Sequence, residues 1–148
     1  MRVAIGSDHA GFALKETIKA LLDELELPYE DFGTSAAAAV DYPDVAEAVS
    51  RAVVGGRADR GILVCGTGIG MSMAANKIAG VRAAVVWDEA SARLSRAHND
   101  ANIMTLGGST TPAERAPGIV RAFLSTDYEG GRHRRRLEKI ARLERKDA

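Results

Sequence analysis

Cysteine and long apolar runs are the two most conspicuous shortages in this chain. It has one cysteine among 148 residues and no stretch that approaches the ~20 apolar residues of a membrane-spanning helix. A single cysteine excludes a disulfide within the chain and is typical of a reducing compartment. Residues 2–5 are strand-like rather than a basic and then apolar leader. We therefore expect a cytoplasmic protein with no membrane segment.

Net charge and aromatic residues are scarce as well. Lys plus Arg equals Asp plus Glu at 20 each, and aromatic residues make up 5% of the chain. The charge is uneven, because residues 132–148 hold eight Arg or Lys against three Asp or Glu. A basic segment that binds nucleic acid normally has interleaved aromatic residues and a supporting net charge. This segment has neither, which argues against a nucleic-acid partner.

Apolar periodicity alternates between strand and helix along the whole chain, with no linker and no repeat. The predicted strands are 3–5, 28–32, 62–65, 82–87 and 101–106. The predicted helices are 12–25, 43 to the glycine pair at 55–56, 69–79, 89–97, 112–124 (interrupted by Pro117) and 132–145. This order predicts a single α/β domain over 1–148, a three-layer Rossmann-like sandwich around a five-stranded parallel sheet. Ligands of such sheets collect beyond the carboxyl ends of the strands.

The segment Gly61-Ile-Leu-Val-Cys65-Gly66-Thr67-Gly68-Ile69-Gly70 is the most informative in the chain. A buried strand ends in the only cysteine and opens into three alternating glycines. Such a turn aims backbone N–H groups at one point, which suits an anion, and a thiol at its mouth is expected to ionise more readily. The alternative is a small buried cysteine that ends a strand.

Other anion-binding families fit this segment less well. A Walker loop ends in Gly-Lys-Ser/Thr, and a cysteine phosphatase needs an arginine about six residues after its thiol; here Met71 follows Gly70. A dinucleotide fold stays open as an alternative, with Asp88 as its ribose ligand. Its glycine spacing is normally G-x-G-x-x-G on the first strand, whereas this spacing is G-x-G-x-G on the third.

Polar residues follow or precede three strands. Asp8-His9 follows the first strand, as a sugar-binding pair or as a simple helix cap. His98-Asn99 precedes the fifth strand, at the edge away from the thiol, which indicates that these residues contribute to the site of a neighbouring subunit.

Arg132 and Arg136 lie four residues apart at the start of the last predicted helix. They form either a solvated face or a pair that binds a phosphate. The last helix has a narrow apolar stripe, so we expect it to pack on a partner subunit.

Taken together, these segments resemble the type B ribose-5-phosphate isomerase family and its relatives, the galactose-6-phosphate and allose-6-phosphate isomerases. The resemblance spans nearly the whole chain in the family's order. The matching segments are Ile5-Gly-Ser-Asp-His-Ala-Gly-Phe-Ala-Leu-Lys15, Asp41-Tyr-Pro-Asp44, Cys65-Gly-Thr-Gly-Ile-Gly70, Ala74-Ala-Asn-Lys77, His98-Asn-Asp-Ala-Asn102 and Tyr128-Glu-Gly-Gly-Arg-His133. It implies a homodimer or a dimer of dimers, with active sites shared between subunits, and no cofactor or metal.

The resemblance also implies a role for individual residues. Cys65 matches the base that moves a proton between C1 and C2 of the open-chain sugar, and His98 matches the acid that opens the furanose ring. Thr67 matches a group that holds the enediolate oxygen, together with the backbone of Gly66, Gly68, Ile69 and Gly70. Proton abstraction beside a carbonyl needs such a base and such N–H donors.

Substrate-binding roles follow in the same way. Asp8 and Asn99 match residues that position hydroxyls, whereas His9, Arg132 and Arg136 match the phosphate grip. The expected substrate is therefore a small sugar phosphate.

The chain departs from the family after Gly107-Gly108, where the family usually has a phosphate-binding arginine and this sequence has Ser109. The substrate can therefore be another aldose phosphate, such as that of allose or galactose, or an unphosphorylated aldose. A flavodoxin-like, non-catalytic phosphate or nucleotide binder is the remaining hypothesis, although such a binder has no use for a paired base and acid.

Overall fold

The computed structural model describes residues 1–36 and 38–145. Its centre is a parallel sheet of five strands in the order β2-β1-β3-β5-β4. The strands are β1 (Val3–Ser7), β2 (Tyr29–Asp31), β3 (Arg60–Cys65), β4 (Ala83–Val85) and β5 (Ile103–Gly107). All four strand pairs are parallel, which confirms the predicted fold class.

Six α-helices connect and flank the strands. They are α1 (Phe12–Glu24), α2 (Tyr42–Val54), α3 (Ile69–Ala75), α4 (Glu89–Ala97), α5 (Ala116–Ser125) and α6 (Arg132–Glu144), with a short 3₁₀ turn at Ala113–Arg115. One apolar layer joins α1, α4 and α5 to one face of the sheet. The other joins α2 and α3 to the opposite face. Alternation along β3 divides its side chains between the layers, so that Ile62 and Val64 face the first while Leu63 and Cys65 face the second.

Two element boundaries differ from the sequence prediction for identifiable reasons. Helix α3 ends at Ala75 rather than near 79, because the Asn76 amide turns to the edge strand β4. It accepts a hydrogen bond from the Ala83 N–H at 2.8 Å and donates one to the Ala83 carbonyl at 2.9 Å. The predicted helix over 112–124 is a 3₁₀ turn followed by α5, and Pro117 lies in the first turn of α5, where its missing N–H costs nothing.

Helix α6 packs closely against neither layer. Its apolar residues Leu137, Ile140 and Leu143 line an open groove of about 700 Å³, whose other wall includes Val81 and Ala84. Leu143 is 63% exposed. The prediction that this helix packs on a partner subunit stays a prediction.

The strand order indicates which edge of the sheet is the usual place for a ligand. β2 lies on one side of β1 and β3 on the other, so the direction in which successive strands are added to the sheet reverses between β1 and β3. In open parallel sheets the crevice at such a switch point, beyond the carboxyl ends of the strands, is the usual ligand site. Asp8 follows β1 and Cys65 ends β3, so both lie at this crevice. No helix among the described residues is long and apolar enough to cross a bilayer.

Candidate active site

Cys65 lies at the carboxyl end of β3, where the strand enters the glycine turn. Its side chain belongs to the α2–α3 layer, and the residue is 5% exposed. The sulfur accepts a hydrogen bond from the Gly68 N–H at 3.1 Å. The thiol is therefore recessed beneath the turn rather than open at its mouth, and the turn supplies it with a backbone donor.

Other groups approach two glycines of the turn closely. Gly68 has φ of +79°, and a Cβ there would approach the backbone of Leu106 to 3.0–3.1 Å. A Cβ on Gly70 would collide with the ring of Tyr42, at the start of α2. Tyr42 therefore covers the turn, a contact that was not predicted from the sequence.

The turn also leaves hydrogen-bond donors available. Over residues 1–36 and 38–145, no protein acceptor is found for the N–H groups of Gly66 and Thr67. The exposed Thr67 accepts a hydrogen bond from the Ile69 N–H through its hydroxyl, at 3.3 Å. The two N–H groups at the start of the turn are thus free to bind an oxyanion, while the Gly68 N–H is occupied by the thiol.

Asp8 and His9 follow β1 at the same edge of the sheet, and Ser109 contacts the turn. The buried Asp8 accepts the Gly11 N–H at 3.0 Å, as a local turn residue does, and its own N–H donates to the Val64 carbonyl. The exposed His9 accepts a hydrogen bond from a neighbouring loop through Nδ1, at 3.4 Å. Ser109 donates its N–H to the Gly66 carbonyl at 3.0 Å. We call Asp8, His9 and residues 65–70 the thiol cluster.

His98 and Asn99 lie elsewhere. His98 ends α4, just before the chain enters β5, whereas Cys65 stands at the far end of the neighbouring β3. A five-residue strand spans roughly 16 Å, so in one chain the two residues lie at opposite edges of the sheet. Arg132 and Arg136 begin α6 on the His98 side. We call His98, Asn99, Arg132 and Arg136 the histidine cluster.

His98 has two companions that the sequence analysis did not assign. The ring of His133 stacks on that of His98, with centroids 4.3 Å apart. The carboxylate of Glu129 lies 3.9 Å from His98 Nε2 and 3.8 Å from His133 Nε2. Burial lowers the pKa of His133, and the neighbouring His98 and Arg132 lower it further.

These three side chains are also the closest group of potential metal ligands in the described part of the chain, with ligand atoms within 4.8 Å of one another. The two rings are nearly parallel, at 17°. Because imidazole lone pairs lie in the ring plane, those of His98 and His133 run side by side instead of converging. One ring would have to turn before both could bind an ion, so the arrangement is not a preformed metal centre.

Comparison with known proteins agrees with this geometry. Residues 3–140 match the family described as Ribose/Galactose Isomerase. The chain is 48% identical over 145 residues to ribose-5-phosphate isomerase B of Escherichia coli, with 98% of this chain and 97% of the relative covered.

Solved structures agree over the same length. Ribose-5-phosphate isomerase B of Clostridium thermocellum superimposes with a TM-score of 0.98 at 46% identity, and both chains are fully covered. The Mycoplasma genitalium enzyme of that name, with bound ribulose-5-phosphate, gives a TM-score of 0.92 at 41% identity, with 98% of this chain and 97% of that one covered. The chain belongs to the ribose/galactose isomerase family.

Proposed function

We propose that this protein interconverts ribose 5-phosphate and ribulose 5-phosphate. Relatives at 46–48% identity over almost the full length have the name ribose-5-phosphate isomerase B. The observation that carries the proposal is the thiol of Cys65, held by the Gly68 N–H at the switch point of the sheet. A non-catalytic phosphate binder would need the backbone donors but not the thiol.

The reaction needs one base and no external oxidant. Cys65, as the thiolate, removes the proton from C2 of the open-chain aldose, and the electron pair of that C–H bond forms the C1–C2 double bond of a cis-enediolate. The proton of the C2 hydroxyl passes to O1, and the Cys65 thiol then returns its proton to C1. C2 becomes the ketone carbon and C1 a hydroxymethyl group, so atoms and electrons balance within the sugar.

The enediolate oxygen requires donors placed before the reaction starts. The N–H groups of Gly66 and Thr67 are without a protein acceptor among the described residues, and they stand beside the thiol. Backbone donors of this kind hold a developing negative charge without reorganising. Thr67 supplies a hydroxyl at the same place, and Asp8 a carboxylate for a sugar hydroxyl.

A second copy of the chain completes the site in this proposal. His98 would open the furanose ring, Asn99 would position a hydroxyl, and Arg132 and Arg136 would join His9 in binding phosphate. These groups fall into two clusters at opposite edges of the sheet in one chain. Two-fold symmetry would set the histidine cluster of one copy against the thiol cluster of the other, twice in a homodimer. A dimer of dimers keeps the same pairing.

We also propose that the protein works in the cytoplasm. The lone Cys65 has to stay a thiol to serve as the base, and a reducing compartment keeps it so.

Replacing Cys65 by alanine tests the function. We expect turnover of ribose 5-phosphate to fall by at least about a thousandfold, because a covalent or proton-transfer step without its base loses orders of magnitude. Calorimetric binding of ribose 5-phosphate should persist, which separates loss of the base from loss of the site. Wild-type turnover in the alanine variant contradicts the proposal.

A substrate panel distinguishes the alternatives for the same site. We expect ribose 5-phosphate to be isomerised faster than allose 6-phosphate, galactose 6-phosphate or free ribose. Preference for another aldose would correct the substrate and leave the reaction type unchanged. Nucleotide binding without isomerisation of any sugar would favour the flavodoxin-like binder.

A further inference from the structure

Asp100 has a backbone conformation that is unusual for an aspartate. It follows His98 and Asn99 at the end of α4 and has a φ of +45°, in the left-handed region that L-residues rarely adopt. Its N–H donates to the Arg96 carbonyl at 3.0 Å, which closes the helix end. Glycine is the common residue for a helix end of this shape, so the carboxylate is not needed for the backbone turn itself.

The carboxylate of Asp100 joins two arginines from different elements. Oδ2 accepts from Arg82 Nη2 at 3.0 Å, and Oδ1 accepts from Arg96 Nη1 at 2.8 Å. Arg96 is 3% exposed and is fixed further by the carbonyls of Ala101 at 2.7 Å and Thr126 at 3.3 Å. The Asp100 carboxylate is thus held by Arg96 of α4 on one side and by Arg82, just before β4, on the other.

Arg82 connects this anchor to the histidine cluster. Its Nε donates to the carbonyls of Asn99 at 3.1 Å and of Asp100 at 3.0 Å, while its Nη2 is held by the Asp100 carboxylate. The guanidinium therefore holds the peptide units on either side of Asp100, which begin one residue after His98. A rigid, charge-assisted clamp of this kind fixes the orientation of the backbone that carries a catalytic side chain.

We propose that Asp100 is a positioning residue, which holds Arg82 and Arg96 so that the His98 imidazole stays aimed at the ring oxygen of the sugar. The inference rests on the proposed function, since it assigns His98 to ring opening. Asp100 itself does not contact the sugar and acts through His98. Its charge, rather than its left-handed backbone, is the property that the reaction uses.

Asp100→Asn isolates the charge, because asparagine tolerates the left-handed backbone as well as aspartate does. We expect kcat for ribose 5-phosphate to fall roughly tenfold to a hundredfold, since small misplacements of a catalytic group have effects of this size. KM should change much less. The matched control is Arg93→Lys, which alters an exposed arginine on α4 that pairs with Glu89, and it should retain wild-type kcat.

A double-mutant cycle separates positioning from a general structural defect. In a His98→Asn background, Asp100→Asn should lower kcat by less than about twofold, because the group through which it acts is already missing. An equal loss in both backgrounds, or no loss in the wild-type background, overturns the proposal. If Asp100→Asn does not fold, Arg82→Lys is measured in the same cycle, because it removes the Nε contacts and keeps the charge.

An NMR measurement that needs no turnover tests the role of Asp100 independently of the proposed function. The imidazole signals of His98 are assigned in the NMR spectrum by their loss in His98→Asn. Asp100→Asn should broaden or shift them while the signals of His9 stay unchanged. Unchanged His98 signals would overturn the positioning role, whether or not the wild-type protein isomerises ribose 5-phosphate.

Discussion

Mixing two strongly impaired variants tests whether the active site is built from two chains. Cys65→Ala destroys the thiol cluster and His98→Asn the histidine cluster. In one chain the two residues lie at opposite edges of the sheet, roughly 16 Å apart along five residues of strand. No side-chain rotation closes such a gap, so each variant alone should retain only a small residual activity, whichever copy contributes which residue.

The expected magnitude follows from symmetry. A mixed dimer has one site with Cys65 from one copy and His98 from the other, and a second site that lacks both. Mixed dimers purified through two different affinity tags should therefore have about half the kcat of the wild-type dimer. An unfractionated sample with equal amounts of the two chains should recover about a quarter, because about half of its dimers are mixed.

The assay follows ribulose 5-phosphate formation after the two chains are produced together in one cell. The double variant Cys65→Ala/His98→Asn, paired with a wild-type chain, is the control. Each site of that mixed dimer would lack one partner, so the purified mixed dimer should be inactive. Background activity in the first mixed dimer, or half activity in the control, would show that each chain works with its own residues.

Two further changes test the glycine turn and the residue beside it. Gly68→Ala should lower the free energy of unfolding by about 2 kcal/mol or more, because it forces a left-handed residue against the Leu106 backbone. Urea unfolding measures this, and Gly66→Ala is the control, since a Cβ there would make only ordinary contacts, with Ala10 at 3.8 Å and with Ser109 Oγ at 4.0 Å; equal losses would contradict the steric account. Ser109→Arg should lower KM for ribose 5-phosphate about tenfold through an added charged hydrogen bond. KM for free ribose should not change, and an unchanged KM for the phosphate would place the phosphate elsewhere.

Local sequence signals predicted most of the fold. The alternation of apolar periods was sufficient for five strands and six helices, because the central strands β1, β3 and β5 are buried on both faces and most of the helices bury one apolar stripe. Asp88 caps α4 and accepts the Ser91 N–H at 2.6 Å, as an aspartate directly before a helix commonly does. The end of α3 was not predictable, since it depends on Asn76 reaching a strand that lies later in the chain.

The thiol cluster could be predicted for the same reason. Asp8 and Cys65 each follow a strand, and the carboxyl ends of parallel strands share one edge. Tyr42 was missed because its contact with Gly70 joins residues 28 positions apart in the chain. A glycine in the first turn of a helix, where a cap or a helix former is usual, was the available signal of a close approach.

The histidine cluster shows what the fold of a single chain does not bring together. Its residues have the chemistry that the thiol cluster lacks, and yet the order of the strands keeps them at the other edge of the sheet. No local change could bring them together, because every residue of the strands in between is paired or buried. If both clusters act on one sugar, the fold requires a second copy, and catalysis depends on assembly. The apolar stripe of α6, lying over an open groove on the side of Asn99, is consistent with that requirement.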